Sequence, residues 1–479
     1  MWPVGAIVLA GTLPRFLTLG VQSYWYNEAD TVSLIRHSFG SMLKLIPRLE
    51  GNPPLYYLLA WVWSRVFGDG EVGLRSLSAL AGSALIGVVY VIVRRMAGHH
   101  AGLMAAALTA ANPLLFWFSQ EARPYILVVL LVAIGFWCFL RVLEEPSPRR
   151  LWPWVLLSVL SLATHYFALF AIAPELAWLL LRERSRRGVL IGGGIVVLAG
   201  GALLPIALRQ RRAGVDTSIV GSFGQRLTEL PKQVLVGYSG PVEKPLTAVA
   251  ALLALYSVYL AVRAVGGEPR RQALIAGLLG VAGLVIVLAL AAVGLDYVNT
   301  RNLIALTFFA IVVMAIGFAG PAAGARGLAA GACLCALLVA DVIGVETNRI
   351  YQRDDWRGAL RALGPAAGPR VIVVSPGQGY YPVRYYLPRA RLMGPPTAVS
   401  EIDLVGIAIR PSSGVAPDPP PVPSAAPPAG FQQVAVIRDR MYTVVRYRSA
   451  APVSESIAAV QTRALSPGSS LVFLERPAR

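Results

Sequence analysis

Charge and cysteine are what this 479-residue chain has least of. Only 14% of its residues are charged, where an ordinary soluble domain carries about a quarter. That deficit, with 56% apolar residues and a mean hydropathy of +0.61, excludes a soluble enzyme and a disordered chain. Three cysteines are too few for a secreted disulfide scaffold. Cys138, Cys333 and Cys335 all lie in apolar runs, so no structural disulfide is expected. Acidic residues are scarce as well: 25 against 43 Lys and Arg leave a formal net charge of +18. Taken alone, such an excess suits a nucleic-acid partner. Here runs of about twenty apolar residues recur along most of the chain, and these read as membrane spans. No nucleic-acid partner is therefore expected, and membrane lipid is. The N-terminal segment lacks a basic start and a small-residue cleavage site, so it reads as the first span rather than a cleaved signal.

Apolar windows predict spans near 2–21, 74–93, 101–118, 124–142, 151–164, 166–181, 188–208, 246–263, 273–295, 301–319 and 326–344. The Tyr- and Trp-rich stretch Pro54–Phe67 is too short to cross and reads as an interfacial helix. Loop charge supports that choice, because short cytoplasmic loops carry the Lys and Arg excess. Arg94 and Arg95, Arg141, Arg149 and Arg150, Arg182 to Arg187, Arg263, Arg270 and Arg271, and Arg326 then fall on one side. The opposite short loops hold little beyond Arg123 and Arg301. The expectation is an all-α polytopic membrane protein of about eleven transmembrane helices with a cytoplasmic N-terminus. A plasma (inner) membrane location follows, with residues 1–345 as the membrane domain and two long outer loops at 22–73 and 209–245. Residues 346–479 then form an extracytoplasmic domain. Asp354-Asp355-Trp356 opens a predicted helix, while Val371–Ser375, Val405–Ile409, Gln433–Ile437 and Met441–Arg446 read as strands. The proline-rich stretch 411–430 reads as a linker within this small α/β domain.

This topology gathers five unusual segments on the outer side. The first, Tyr24 to Asp30, brings Glu28 and Asp30, either of which can serve as general base for an attacking hydroxyl. The alternative is a pair of solvated loop acids beside belt aromatics. Asn52 to Tyr57 brings Tyr56 and Tyr57, suited to stacking on a sugar or lining a path for lipid. Ser119 to Tyr125 brings Glu121, Arg123 and Tyr125: Arg123 would clamp a phosphate oxygen with Glu121 orienting it, or the two would make an interfacial ion pair. Thr164 to Phe167 brings His165 and Tyr166, with His165 as a hydrogen-bond donor to phosphate or sugar, or simply an interface histidine. Asn299-Thr300-Arg301 brings a cation to the start of a span, where it meets a phosphate or snorkels.

Together these segments resemble the polyprenyl-phosphate-sugar-dependent membrane glycosyltransferases of the GT-C fold. The resemblance is closest to glycosyltransferase family 39, with protein O-mannosyltransferases and lipid A aminoarabinose transferases. It covers roughly residues 1–345 in order. An Asp-Glu motif is matched at Asn27-Glu28 and a His-Pro-Pro-Leu-Tyr-Tyr-like segment at Asn52 to Tyr57. An Arg-x-x-Ser-Ala-like span is matched at Arg75 to Ala79, Ser-Gln-Glu-Ala-Arg-x-Tyr at Ser119 to Tyr125, and Thr-His-Tyr-Phe at Thr164 to Phe167. The resemblance implies inverting transfer of one sugar from a polyprenyl-phosphate donor to a lipid, glycan or protein acceptor outside the cytoplasm. Arg123, His165 and Arg301 would meet the donor phosphate. Asn27, Asn52, Tyr56, Tyr57, Glu121, Tyr125 and Tyr166 would line the substrate. Two departures matter: the family's Asp is Asn27 here and its His is Asn52. An amide is no general base at neutral pH, so Glu28, then Asp30, inherits that role. The resemblance leaves metal dependence open: no cofactor is assigned, and Glu28, Asp30 and Glu121 would make an oxygen site for a divalent metal only if they converged. A lipid-linked-solute transporter or flippase, and a catalytically impaired scaffold, are the alternative readings.

Overall fold

The structure is a computed structural model that describes residues 2–183, 187–214, 221–263, 267–409, 418–423, 426–466 and 469–477. Parts of the proline-rich stretch (411–417 and 424–425), together with Arg184 and Arg186, lie outside the described residues. The chain divides into two compact units. One holds the segment up to Leu19 together with Leu34–Gly344; the other holds Gly20–Ser33 together with Val345 onward.

The first unit is helical. Each predicted apolar window contains a helix, and among the described residues six of these helices are long and apolar enough to cross a bilayer. They are Glu71–Ala97, Tyr125–Glu144, Arg187–Arg212, Glu243–Arg263, Glu268–Ala292 and Gly324–Thr347. His99–Ala111 and Pro113–Ser119 pass the same test together, with a 60° bend between them. Trp2–Leu17 and Leu306–Ala319 are shorter apolar helices. Large apolar side chains such as Leu198 and Val197 stand exposed, the pattern of a lipid-facing surface. Arg15, by contrast, is buried within the first helix and spends its guanidinium on protein. It donates to Ser119 Oγ at 3.1 Å and to the carbonyls of Gly11, Ala110 and Thr109 at 2.7, 3.1 and 3.3 Å. An intramembrane arginine so saturated holds helices together.

The 60° bend positions the Ser119 to Arg123 segment, and its cause is local. Pro113 has no N–H to continue the helix, and the Asn112 side chain accepts from Leu115 N at 2.9 Å to cap the new one. Gly82 lets the bent segment approach. A Cβ there would lie 2.1 Å from Ser119 Oγ. Pro54–Phe67 contains the helix Leu55–Phe67, 13 residues long, preceded by the amphipathic helix Phe39–Leu49, which buries Met42 and Ile46.

The second unit is a six-stranded sheet: β1 (Arg370–Ser375), β2 (Arg391–Leu392), β3 (Thr397–Ile407), β4 (Gln432–Arg438), β5 (Tyr442–Glu455) and β6 (Leu471–Glu475). The order is β2-β6-β1-β3-β5-β4, with β1 and β3 parallel and all other pairs antiparallel. Period-two alternation sends Ile372 and Val374 to a core shared with Trp356, Leu360 and Val383. Val371 and Val373 join Leu404, Val445 and Val460 on the other side. The helix expected after Asp354-Asp355 runs Trp356–Arg361, and Asp355 caps it by accepting from Gly358 N at 2.9 Å.

Gly20–Ser33 belongs to this unit through specific hydrogen bonds. Ser23 Oγ donates to the Asp354 carbonyl at 2.7 Å, Arg353 N donates to Gln22 Oε1 at 3.0 Å, and Tyr24 N donates to the Tyr386 hydroxyl at 2.7 Å. Arg357 donates to the carbonyls of Gly20 and Val21 at 3.1 and 2.7 Å. In sequence it falls within residues 1–345, the stretch expected to form the membrane domain.

Candidate active site

The polar centre of the first unit is an ion pair that local sequence does not announce. Arg123 donates to both oxygens of Glu50, at 2.8 and 3.1 Å, and the two side chains are 6% and 3% exposed. Glu50 ends the amphipathic helix Phe39–Leu49, and Arg123 lies in the turn between Pro113–Ser119 and Tyr125–Glu144. Tyr57 donates its hydroxyl to Glu50 at 2.7 Å, and Asn52 Nδ2 lies 3.5 Å from that hydroxyl. Burial pushes the Tyr57 phenol well up, helped by the adjoining Glu50 carboxylate, so it stays a donor. Burial disfavours the Arg123 charge, but Glu50 more than offsets this and holds the guanidinium firmly ionised.

A second polar link joins the first outer loop to the turn at His165. Gln210, near the end of the helix Arg187–Arg212, donates to the Asn52 carbonyl at 2.9 Å and to the Ile46 carbonyl at 3.4 Å. Its Oε1 accepts from the Tyr166 hydroxyl at 2.8 Å. His165 lies against Tyr125 and Phe167, with ring centroids 5.5 and 5.4 Å away. Its Nδ1 accepts from Phe167 N at 3.3 Å, which leaves Nε2 to carry the proton and donate. Burial, then the positive fields of Arg301 and Arg123, pull its pKa down to about 3. His165 is therefore a neutral donor at physiological pH. Accordingly, wild-type protein and His165→Gln should give pH–rate profiles of the same shape between about pH 5 and 8. A limb near pH 6.5 that disappears in the variant would show that the imidazole titrates there.

The structure thus brings Asn52, Tyr57 and Arg123 together, and joins Tyr125 to His165 and Tyr166 to the first outer loop. Tyr56 is buried edge-on to Tyr57 at 5.8 Å. Glu121 is 1% exposed, and its carbonyl accepts from Arg123 N at 2.7 Å. Arg301 is half-buried, its N–H donating to Asn299 Oδ1 at 3.1 Å. Asn27, Glu28 and Asp30 belong to the second unit by chain division. Glu28 is fully buried on the helix Tyr26–Ile35, while Asp30, two residues on and so turned away, is half-exposed. Among the described residues no group of three or more His, Cys, Asp or Glu side chains converges as a metal site. Sequence reasoning missed Glu50 and Gln210. For Glu50 a signal existed, a lone acid two residues before Asn52-Pro53-Pro54; for Gln210, at the end of an apolar span, there was none.

Comparison with known proteins fits this placement. The family model described as Dolichyl-phosphate-mannose-protein mannosyltransferase matches residues 51–208, the stretch that holds Asn52, Tyr57, Arg123 and His165. It bears out, over that stretch, the family resemblance carried by the motifs. No curated protein matches the chain. Among solved structures, ArnT from Cupriavidus metallidurans bound to undecaprenyl phosphate is similar over 70% of this chain and 63% of its own, at 16% identity and TM-score 0.47. The Archaeoglobus fulgidus oligosaccharyltransferase in complex with Zn and sulfate is similar over 76% and 56%, at 14% identity and TM-score 0.44. Arabinosyltransferase EmbB from Mycobacterium smegmatis is similar over 100% and 64%, at 12% identity and TM-score 0.46. The chain therefore spans less than two thirds of the length of each of these structures.

Proposed function

We propose that this multi-pass membrane protein is a GT-C glycosyltransferase that moves one sugar from a polyprenyl-phosphate donor to an acceptor on the extracytoplasmic side. The observation that carries the reading is the buried Glu50–Arg123–Tyr57 cluster beside neutral His165: Tyr57, Arg123 and His165 lie inside the stretch matched by the dolichyl-phosphate-mannose-protein mannosyltransferase family model, and Glu50 directly precedes it. A phosphate leaving group gains negative charge as its bond to the sugar breaks. Arg123 and Arg301 supply positive potential there, and His165 Nε2–H supplies a neutral donor. Glu50 fixes the Arg123 guanidinium in place, which makes it a positioning residue.

The acceptor hydroxyl attacks the anomeric carbon, the carbon–oxygen bond to the lipid phosphate breaks, and configuration inverts. The acceptor proton passes to a carboxylate, for which Glu28 is the first candidate and Asp30 the second. Loop charge supports the outer orientation. The test is transfer by the purified full-length protein from radiolabelled polyprenyl-phosphate sugars to an acceptor extract. Glu28→Gln is expected to lower the rate by about 10²- to 10⁴-fold, the usual contribution of a general base. Transfer that survives Glu28→Gln combined with Asp30→Asn would remove both from the reaction. Absence of any transfer by the wild-type protein across the donor series would overturn the function itself.

A further inference from the structure

The second unit contains a cleft of about 590 Å³ that the transfer reading does not use. Its lining includes Arg349, Arg353, Arg357 and Arg361, together with Met441, Tyr442 and two carboxylates, Glu346 and Asp355. Four guanidinium groups against two carboxylates leave a net positive lining. The four arginines divide by role. Arg353 is 5% exposed and donates to Gln22 Oε1 at 3.2 Å, and Arg357 donates to the Gly20 and Val21 carbonyls, so these two build the wall. Arg349 is 66% exposed and only loosely paired, 3.7 Å from Asp355. Arg361 is exposed, and its guanidinium makes no hydrogen bond or ion pair among the described residues. It stands four residues after Arg357 on the helix Trp356–Arg361, one turn along the same side.

Guanidinium groups lining a cleft of this size suit the planar, two-point recognition of phosphate oxygens. Chain connectivity says where the phosphate comes from. Glu346 and Thr347 are the last residues of the apolar helix Gly324–Thr347, so that edge of the cleft begins at the end of a span. Val21 follows Leu17, the end of the apolar helix Trp2–Leu17, by four residues, a reach of at most about 14 Å. Arginine at that level, beside exposed Val21 and buried Met441, meets lipid headgroups before it meets solutes. We propose that this cleft binds the phosphate of an anionic phospholipid headgroup at the membrane surface where these two helices end.

The test uses the full-length protein in detergent, titrated with phosphatidylglycerol or phosphatidylcholine and read by native mass spectrometry. The expected result is preferential retention of phosphatidylglycerol, weakened about tenfold or more in the double variant Arg349→Gln/Arg361→Gln. Both side chains are exposed, so the variant should keep the wild-type melting temperature. A second arm adds inorganic phosphate. Competition only at concentrations far above those of the lipid supports a headgroup site, whereas equal affinity for free phosphate overturns the lipid assignment. Retention of a soluble anionic glycan in preference to phosphatidylglycerol also overturns it, as does unchanged lipid retention in the double variant. Sugar transfer is a separate readout, so failure here leaves the proposed reaction standing, and the converse holds.

Discussion

Arg123→Ala is expected to destabilise the membrane unit by about 3–5 kcal/mol and to remove sugar transfer. The large stability effect comes from what is left behind. Glu50 is 3% exposed, and without Arg123 its carboxylate would be buried with, among the described residues, the Tyr57 hydroxyl as its remaining partner. Removing both charges avoids that state, so Arg123→Ala/Glu50→Ala should be more stable than Arg123→Ala alone. Tyr57→Phe removes one charge-assisted hydrogen bond and should cost about 1.5–3 kcal/mol. Transfer should fail in the double variant too, because the phosphate has lost its guanidinium. The measurement is thermal unfolding of full-length protein in one detergent, with the transfer assay run alongside. Additive single-variant losses would mean that the pair does not act as a unit. Full transfer by Arg123→Ala would remove this arginine from the donor site.

Arg370→Met should have a comparable effect in the second unit, again about 3–5 kcal/mol. Arg370 sits on the central strand β1 and is 1% exposed. Its guanidinium donates to Glu475 at 2.7 and 2.9 Å, to Asp403 at 3.3 Å and to Glu401 at 3.4 Å. It also donates to the carbonyls of Leu363 and Gly364, both at 2.9 Å. Register explains the cluster: Arg370 is directly opposite Glu475 on β6 and Glu401 on β3, which in turn faces Arg448 on β5. Arg446 donates to Asp403 at 2.8 Å and lies 3.4 Å from Glu401. Methionine keeps the volume but leaves three carboxylates facing one another.

The pH dependence of that loss has a definite sign. Burial raises Glu401, but Arg448 and Arg446 outweigh it and hold this carboxyl below its usual range. Burial takes Asp403 up to about 7 despite its arginines. Deleting Arg370 removes positive charge and moves both carboxyls upward. The folded variant then binds protons more tightly than the folded wild-type protein does, so its stability relative to wild type falls as pH rises. The deficit of Arg370→Met should therefore be larger at pH 8 than at pH 5. Hydrogen exchange of β1 and β3 in the full-length protein measures it. A deficit that shrinks as pH rises would contradict the ionic account.

How much of this was legible in the sequence depends on the range of the interaction. Burying the backbone in lipid demands long apolar helices, so the apolar windows located the helices. The Asp355 cap, the break at Asn112-Pro113 and the short apolar run of β1 are likewise set by neighbouring residues. Strands β2 and β6 escaped notice because strands of two and five residues carry little pattern. Local motifs also pointed to Asn52, Tyr57, Arg123 and His165, four residues that the fold does set into one polar region.

Sequence alone determined that the chain is a multi-pass membrane protein with an α/β tail, because apolar length and period-two alternation are properties of contiguous residues. Only the tertiary structure decided which charge meets which. Nearness in sequence points to Glu121, two positions before Arg123, whereas the fold also brings Glu50 to Arg123 from 73 positions away, and Gln210 reaches the Asn52 carbonyl across 158 positions. Only the tertiary structure, too, assigned Gly20–Ser33, the segment that holds Glu28, to the unit built from Val345 onward. The physical reason is common to both. A buried polar group must find a partner wherever the fold supplies one, and desolvation imposes that demand without regard to distance along the chain.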